Sequence, residues 1–449
     1  MKNKIGINIP EILLPEKNVS YEKYSVIACD QYTSQPEYWE EVSKIVGDSY
    51  STLNLTLPEV YLEHGNYDTE GMIKTIHGNM SEYLNKNVLV PQKPGFIYVE
   101  RKTEHEVPRK GLVISIDLEN YDYNANSQSL VRPTEKTVIE RIPPRVKIRE
   151  NASAEFPHIM LLIDDPNEGI IEPLSQMKDK FEMVYDFELM MNGGHISGYK
   201  IEDEALLGKL INGFEQLADP EVIRNKYSLT ENKPVLLFAV GDGNHSLASA
   251  KAHWENVKKT LTEEQVSNHP ARFALVEVVN VHDKSLIVEP IHRELFNVDS
   301  EAFLNALSAY CKENGSDLEV KYHDSRTIMD IEDLAGDHNT HIFSIVTKDK
   351  SGTITIKNPK ANIPVGTIQI FLDEFLKNNP STKIDYIHGT DVIDSLSAKD
   401  GNMGFILPPI EKSDLFRSVI LDGVMPRKTF SMGEAHEKRY YIEGKKIVL

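Results

Sequence analysis

Apolar positions along the chain follow two periods, and the places where one gives way to the other mark its elements. Met72, Ile73, Ile76, Met80 and Leu84 recur at helical spacing, which predicts an amphipathic helix over residues 69–86. Residues 36–46 share that spacing, with Pro36 suited to a first turn. Residues 96–100 and 112–118 are short, apolar and rich in branched side chains, so they predict strands. Residues 24–29 predict another, running into the polar sequence Asp30-Gln31-Tyr32. Residues 181–191 and 196–201 flank Asn192-Gly193-Gly194 and predict a hairpin. A helix over 202–217, a strand over 272–281, a helix over 300–313 and strands over 318–323, 341–347 and 353–357 follow, with a closing hairpin across Glu443-Gly444.

The sharpest change of period lies between residues 235–240, an uninterrupted apolar run, and Leu247, Ala248, Ala250, Lys251 and Trp254, which follow helical spacing. The turn between them is Gly241-Asp242-Gly243-Asn244-His245-Ser246. Its two glycines permit backbone angles closed to other residues, and the first amides of a helix have no intrahelical acceptor. Such a turn favours an anion, with His245 and Ser246 as added donors. It is no Walker loop, because Gly-Lys-Ser/Thr is missing, and Ser246 stands where a dinucleotide fingerprint places its third glycine. The purely structural alternative is a glycine-rich turn capped by Asn244. If the turn binds an anion, replacing Gly243 is expected to weaken the ligand more than the fold.

A length of 449 residues predicts two or three closely packed lobes, with boundaries expected at 1–125, 126–297 and 298–449. The fold expected is α/β in the mixed α+β sense: a central mixed sheet carrying the strand–turn–helix, an N-terminal α/β lobe and a C-terminal α+β lobe. The formal charge of -20 argues against a nucleic-acid or anionic-membrane partner, so any anion site must be local. Two cysteines, Cys29 and Cys311, and no long apolar run point to a cytoplasmic protein without a disulfide scaffold.

Against that acidic background, residues 132–149 hold Arg132, Lys136, Arg141, Arg145, Lys147 and Arg149 beside only Glu135 and Glu140. Arg145, Lys147 and Arg149 alternate with Val146 and Ile148, which in an extended segment places the three cations on one face, suited to phosphate or carboxylate. This island is expected to meet the glycine turn in space. Asp30 and Gln31 close one predicted strand and Asp164-Asp165-Pro166 another, where a ligand or magnesium could sit. His158, His195 and His292-Arg293 are further polar candidates near turns.

Five ordered motifs, Glu135-Lys136-Thr137, Pro157-His158, Gly241 to His245, Pro290-Ile291-His292-Arg293 and Met425 to Phe430, make the chain resemble the bacterial and archaeal family called domain of unknown function 1015. More distantly, its central turn is similar to the phosphate-binding turn of the ParB and sulfiredoxin superfamily, which includes nucleotide-dependent kinases of free serine. Asn244 replaces the family's usual first histidine and Ser246 its arginine, so a cation must come from elsewhere. Asn244 also sits where sulfiredoxin keeps its cysteine, so the resemblance does not extend to sulfinic-acid reduction.

The leading reading is a phosphotransferase that uses ATP or ADP, with magnesium carried by the nucleotide, acting on a small hydroxylated metabolite such as serine. Asp242 or Glu135 would be the base. Gly241, Gly243, Asn244, His245, Ser246, Arg145, Lys147 and Arg149 would hold phosphates. Asp30, Gln31, Lys136, Thr137, His158, His195, His292 and Arg293 would contact substrate. The alternatives are a regulator that binds a nucleotide or phosphometabolite without catalysis, and a metal-dependent hydrolase built on His158, His195, His245 and His292, its metal unassigned. Oligomeric state is not legible.

Overall fold

A computed structural model of the chain describes residues 4–63, 67–104, 107–323, 326 and 338–449. The fold is mixed α/β and divides into two compact units, one of residues 1–133, 137–286 and 433–449 and one of residues 134–136 and 287–432.

The first unit is built on a nine-stranded mixed sheet. Its strands are β1 (Ile7–Asn8), β2 (Phe96–Lys102), β3 (Arg109–Asp117), β4 (Val131–Pro133), β5 (Met160–Ile163), β6 (Glu182–Leu189), β7 (Gly194–Ile201), β8 (Phe238–Asp242) and β9 (Phe273–Asn280). The order is β4-β8-β5-β9-β3-β2-β7-β6, with β1 against β3. β6 and β7 form the predicted hairpin. Leu112, Ile114, Leu161, Ile163, Val276 and Val278 are all but fully buried in the core. At about 25 cal/mol per Å² of apolar surface removed from water, such strands supply the main favourable term of folding.

Two pairings position the site. β8 runs antiparallel to β5, with a bulge between Val240 and Asp242 and with Asp242 opposite Met160. The turn after β8 therefore lies beside the entry to β5, where His158 stands. β9 runs parallel to β5, so Asp164, Asp165 and Asn280 gather at the opposite end of the sheet.

Helices α1 (Pro36–Val46), α2 (Thr69–Asn85), α3 (Ile142–Glu150), α4 (Glu204–Leu217) and α5 (Asn244–Lys258) complete this unit. α3 corrects the expectation of an extended basic segment. Pro143 and Pro144 fall in its first turn, where proline's fixed φ suits a helix and no amide donor is needed. Ile142 and Val146, four residues apart, then pack on Ala248 of α5. Residues 24–29 likewise do not form a full strand: a short helix, Tyr21–Tyr24, precedes a segment whose Ile27 bridges Tyr440. The closing hairpin is also absent, since Lys445–Lys446 pairs with Ala154–Glu155 and Gly444 with Leu13.

The second unit centres on a six-stranded antiparallel sheet of β10 (His292–Phe296), β11 (Asp317–Tyr322), β12 (Thr340–Thr347), β13 (Ser351–Lys357), β14 (Lys383–Ile387) and β15 (Asn402–Ile406). Its order is β11-β13-β12-β15-β10-β14. Helices α6 (Ser300–Glu313) and α7 (Pro364–Asn378) bury Phe303 against Phe371, Phe375 and Phe405. Among the described residues no helix is long and apolar enough to cross a membrane.

Candidate functional site

The chain leaves β8 through Gly243, whose φ of 73° lies in the left-handed region. A Cβ at this residue would stand 2.9 Å from the Ile159 Cα, so glycine is what fits against the entry to β5. Gly241 remains within β8, at the bulge between Val240 and Asp242. Asn244 does not cap the helix. Its amide donates to Thr137 Oγ1 (3.0 Å) and its Oδ1 accepts from the Tyr121 hydroxyl (3.4 Å), which fixes the segment before α3 against the start of α5. The Gly243 amide donates to Asp242 Oδ1 (2.9 Å), and Asp242 Oδ2 lies 3.5 Å from Lys438 Nζ.

His245 faces α3. Its Nε2 accepts from the Val138 amide (3.2 Å), which puts the ring proton on Nδ1. Burial, reinforced by Arg145 and Arg141, lowers its pKa to about 4. The imidazole is therefore neutral near pH 7 and can offer one N–H donor.

The helical geometry of α3 decides which cations serve the site. Arg145 and Arg149, one turn apart, line a pocket, whereas Lys147 projects to solvent 3.9 Å from Glu70. The pocket encloses about 740 Å3 of space, part of it open to solvent, and Ser246 and Ser249 of α5 belong to its wall. Leu55, Leu57, Met80 and Phe156 make much of the remainder apolar. Its arginines are already paired, Arg145 with Glu59 and Arg149 with Glu155. Arg132 donates to the Ser129, Pro234 and Val235 carbonyls and is structural. The two arginines of the basic island that reach the pocket are thus paired with carboxylates, and the island does meet the glycine turn, through Arg145, Arg149 and Ser246.

Asp30 sits at the pocket with His158. His158 Nε2 is 3.2 Å from Asp30 Oδ2, its Nδ1 is 2.9 Å from the Tyr441 hydroxyl, and that hydroxyl accepts from the Cys29 amide (3.0 Å). Burial opposes charge on both partners, yet each outweighs it for the other. His158, with Gln31 and Lys438, holds the Asp30 carboxyl well below the usual range. Asp30, Asp242 and Glu59 in turn raise the His158 pKa. The pairing thus favours an ionised carboxylate on Asp30 and protonation of His158. Gln31 donates to Asp30 Oδ1 (3.0 Å), consistent with a positioning part. Cys29 is a free thiol whose pKa burial and the neighbouring acids push up, so it remains protonated.

The other expected residues are not among those lining this pocket. Glu135 belongs to the second unit, half-buried, accepting from the Thr429 amide (3.3 Å). Burial raises its pKa. Lys136 is exposed there. Arg293, wholly buried in the same unit, donates to Gln369 Oε1 (2.9 Å) and packs over Tyr386. His292 accepts from the Leu407 amide (3.2 Å), and burial, with Arg293, lowers its pKa to about 4. His195 lies on the exposed hairpin between Asp186 (2.8 Å) and Glu188 (2.9 Å). Asp164 is taken up by His282 (2.7 Å), Lys226 (2.7 Å) and Tyr227 (2.6 Å), a closed network at the far end of the sheet. Among the described residues no group of three or more His, Cys, Asp or Glu side chains is arranged to hold a metal. Glu59, Lys438 and Tyr441 carry no local sequence signal, and tertiary pairing alone brings them to the site.

The family profile described as "Protein of unknown function (DUF1015)" matches residues 13–375. No curated protein matches the sequence. Among solved structures, a free serine kinase in complex with AMP is 12% identical with a TM-score of 0.37, covering 75% of this chain and 92% of its own. A conserved hypothetical protein from Pyrococcus furiosus is 12% identical with a TM-score of 0.33, covering 75% and 95%. SbnI from Staphylococcus aureus, truncated at its C-terminus, is 9% identical with a TM-score of 0.33, covering 72% and 82%.

Proposed function

The chain belongs to the DUF1015 family of unknown function, and from the geometry of its site we propose that it is a nucleotide-dependent phosphotransferase acting on a small hydroxylated metabolite, serine among the candidates. One observation carries the reading: the start of α5, the Arg145 guanidinium and the ionised carboxylate of Asp30 converge on a single pocket. Phosphoryl transfer needs little covalent help from a protein; it needs reactants held in line and developing charge neutralised. The similarity of the turn to the phosphate-binding turn of the ParB and sulfiredoxin superfamily supports the same assignment.

In this reading ATP or ADP lays its phosphates on the amides from Asn244 to Ser246, where the helix dipole and aligned N–H groups favour negative charge. Arg145 supplies the cation that Ser246 does not. His245 donates a neutral N–H. Magnesium, which usually binds through one or two carboxylates and the nucleotide's own phosphates, would meet Asp242 and add neutralising charge. Asp30, locked by His158 and Gln31, orients the acceptor hydroxyl. The hydroxyl oxygen attacks the terminal phosphorus, the bond to the bridging oxygen breaks with its electron pair leaving on the nucleotide, and the hydroxyl proton passes to a site carboxylate. So acidic an Asp30 is a weak base, which a loose transition state tolerates because the hydroxyl loses its proton late.

The test is phosphorus NMR of the protein with ATP or ADP, magnesium and a panel of hydroxylated amino acids and hydroxy acids. A new phosphomonoester resonance at the expense of the nucleotide's terminal phosphate is expected, and Asp30→Asn should abolish it while leaving nucleotide binding measurable by calorimetry. Failure to turn over any acceptor and to bind any nucleotide refutes the proposal. Binding without turnover would instead favour the regulator.

A further inference from the structure

Arg145, which lines the same pocket as Ser246, already has a partner. Its guanidinium is paired with Glu59 and also donates through Nη1 to the Arg141 carbonyl. Both ends of the pair are largely withdrawn from water, with side-chain exposures of 15% for Arg145 and 7% for Glu59. The charge of Arg145 is nevertheless felt at His245, in the first turn of α5, and Arg145 and Ser246 line the same pocket. The guanidinium, its buried carboxylate partner and Ser246 at the place proposed for phosphate therefore border one pocket.

We propose that Glu59 holds Arg145 in reserve, that an arriving nucleotide phosphate draws the guanidinium to the start of α5, and that Glu59 takes up a proton as its partner leaves. This rests on the nucleotide reading above. A phosphate group carries more negative charge than a carboxylate and accepts the same forked pair of N–H donors, so it competes well for arginine. The carboxylate left behind stands in a different situation. Leu55, Leu57 and Leu62 line the pocket around it, and its backbone amide donates to the Cys29 carbonyl (2.8 Å).

The ionisable groups facing Glu59 are Arg145 from α3, Asp30 and the Cys29 thiol from the segment before α1, and His158 at the entry to β5. Burial already raises the Glu59 pKa, with Asp30 adding to the rise and Arg145 and His158 opposing it. Once Arg145 is withdrawn, His158 alone opposes, and its charge is shared with Asp30. A buried carboxylate without its partner is neutralised rather than left charged. Nucleotide binding is then linked to proton uptake, so affinity rises as pH falls through the neutral range.

The experiment is calorimetric titration of the full-length protein with ADP near neutral pH in buffers of differing ionisation enthalpy. Wild type is expected to show net uptake of roughly one proton per ADP bound. Glu59→Gln keeps the size of the side chain and one hydrogen bond to Arg145, and its melting curve checks that it folds. In that variant the uptake should vanish and ADP should bind on the order of fivefold tighter, because a neutral amide releases Arg145 more readily. Wild-type binding without proton uptake overturns the switch while the nucleotide reading stands, and so does a Glu59→Gln protein that retains the uptake or binds ADP more weakly. No binding of either ADP or ATP to wild type overturns both.

Discussion

Replacing Gly243 with alanine tests the turn on which the site is built. The residue has φ 73°, and holding a non-glycine residue in the left-handed region costs roughly 1–2 kcal/mol. The new Cβ would also stand 2.9 Å from the Ile159 Cα, a backbone atom that cannot rotate aside, and 3.3 Å from His158 Cδ2. Overpacking of this kind typically costs about 1–3 kcal/mol. Together the two effects predict a loss of roughly 2–5 kcal/mol, a large part of the stability of an ordinary domain. The contact with Ile159 thus reverses the expectation from sequence that a substitution here harms the ligand more than the fold. Gly78→Ala serves as a control of opposite sign: Gly78 is exposed on α2 with nothing within 4 Å of its missing Cβ, so alanine should stabilise by about 0.5–1 kcal/mol. Urea unfolding followed by tryptophan fluorescence reads both, since Trp254 of α5 and Trp39 of α1 are fully buried. A Gly243→Ala midpoint at or above that of wild type, with an unchanged denaturant slope, would show that the turn does not have this geometry.

Two further outcomes follow from the charges. The Asp30–His158 pair should contribute most between about pH 3.8 and 6.5: the raised His158 pKa makes its contribution full below the unfolded value and lost as pH rises through the folded one, while the depressed Asp30 pKa gives the opposite limb. The stability difference between wild type and Asp30→Asn measured across pH should therefore peak in that window, and a His158 ring titrating at or below about 6.5 by NMR would refute the pairing. Lys147→Ala should change stability by less than about 0.5 kcal/mol and leave ADP affinity untouched, because Lys147 points to solvent from α3, whereas Arg145→Ala should weaken ADP binding measurably in the same titration. Equal effects of the two substitutions would restore the extended, one-faced arrangement that the helix replaces.

Much of the local architecture was legible without coordinates. The period change between residues 240 and 244, the hairpin around Asn192-Gly193-Gly194 and the helices over 36–46, 69–86 and 300–313 all rest on interactions between residues a few positions apart. Where the reading failed, two local rules competed. Alternating cations in residues 145–149 suggested a strand, but Pro143 and Pro144 and the docking of Ile142 and Val146 on Ala248 favoured a helix, and Lys147 was thereby turned away. Residues 24–29 looked like a strand because they are apolar and extended. Their partner is the closing segment instead, with the Ala28 amide donating to the Arg439 carbonyl and the Tyr441 amide to that of Val26.

The sequence by itself determined the elements and the chemistry of the turn, because helix and strand periodicity, proline geometry and the permissiveness of glycine act within a few residues. It also showed that any anion site in so acidic a chain had to be local. Only the tertiary structure decided which charges meet. Antiparallel pairing of β5 with β8 sets His158 beside the turn and carries Asp164 to the far end of the sheet, while the return of residues 438–441 brings Lys438 and Tyr441 to Asp242 and His158. No periodicity encodes such contacts, since the energy of a charge depends on its burial and on partners hundreds of residues away. His245, which the sequence offers as an added donor to an anion, is a neutral ring once buried beside Arg145.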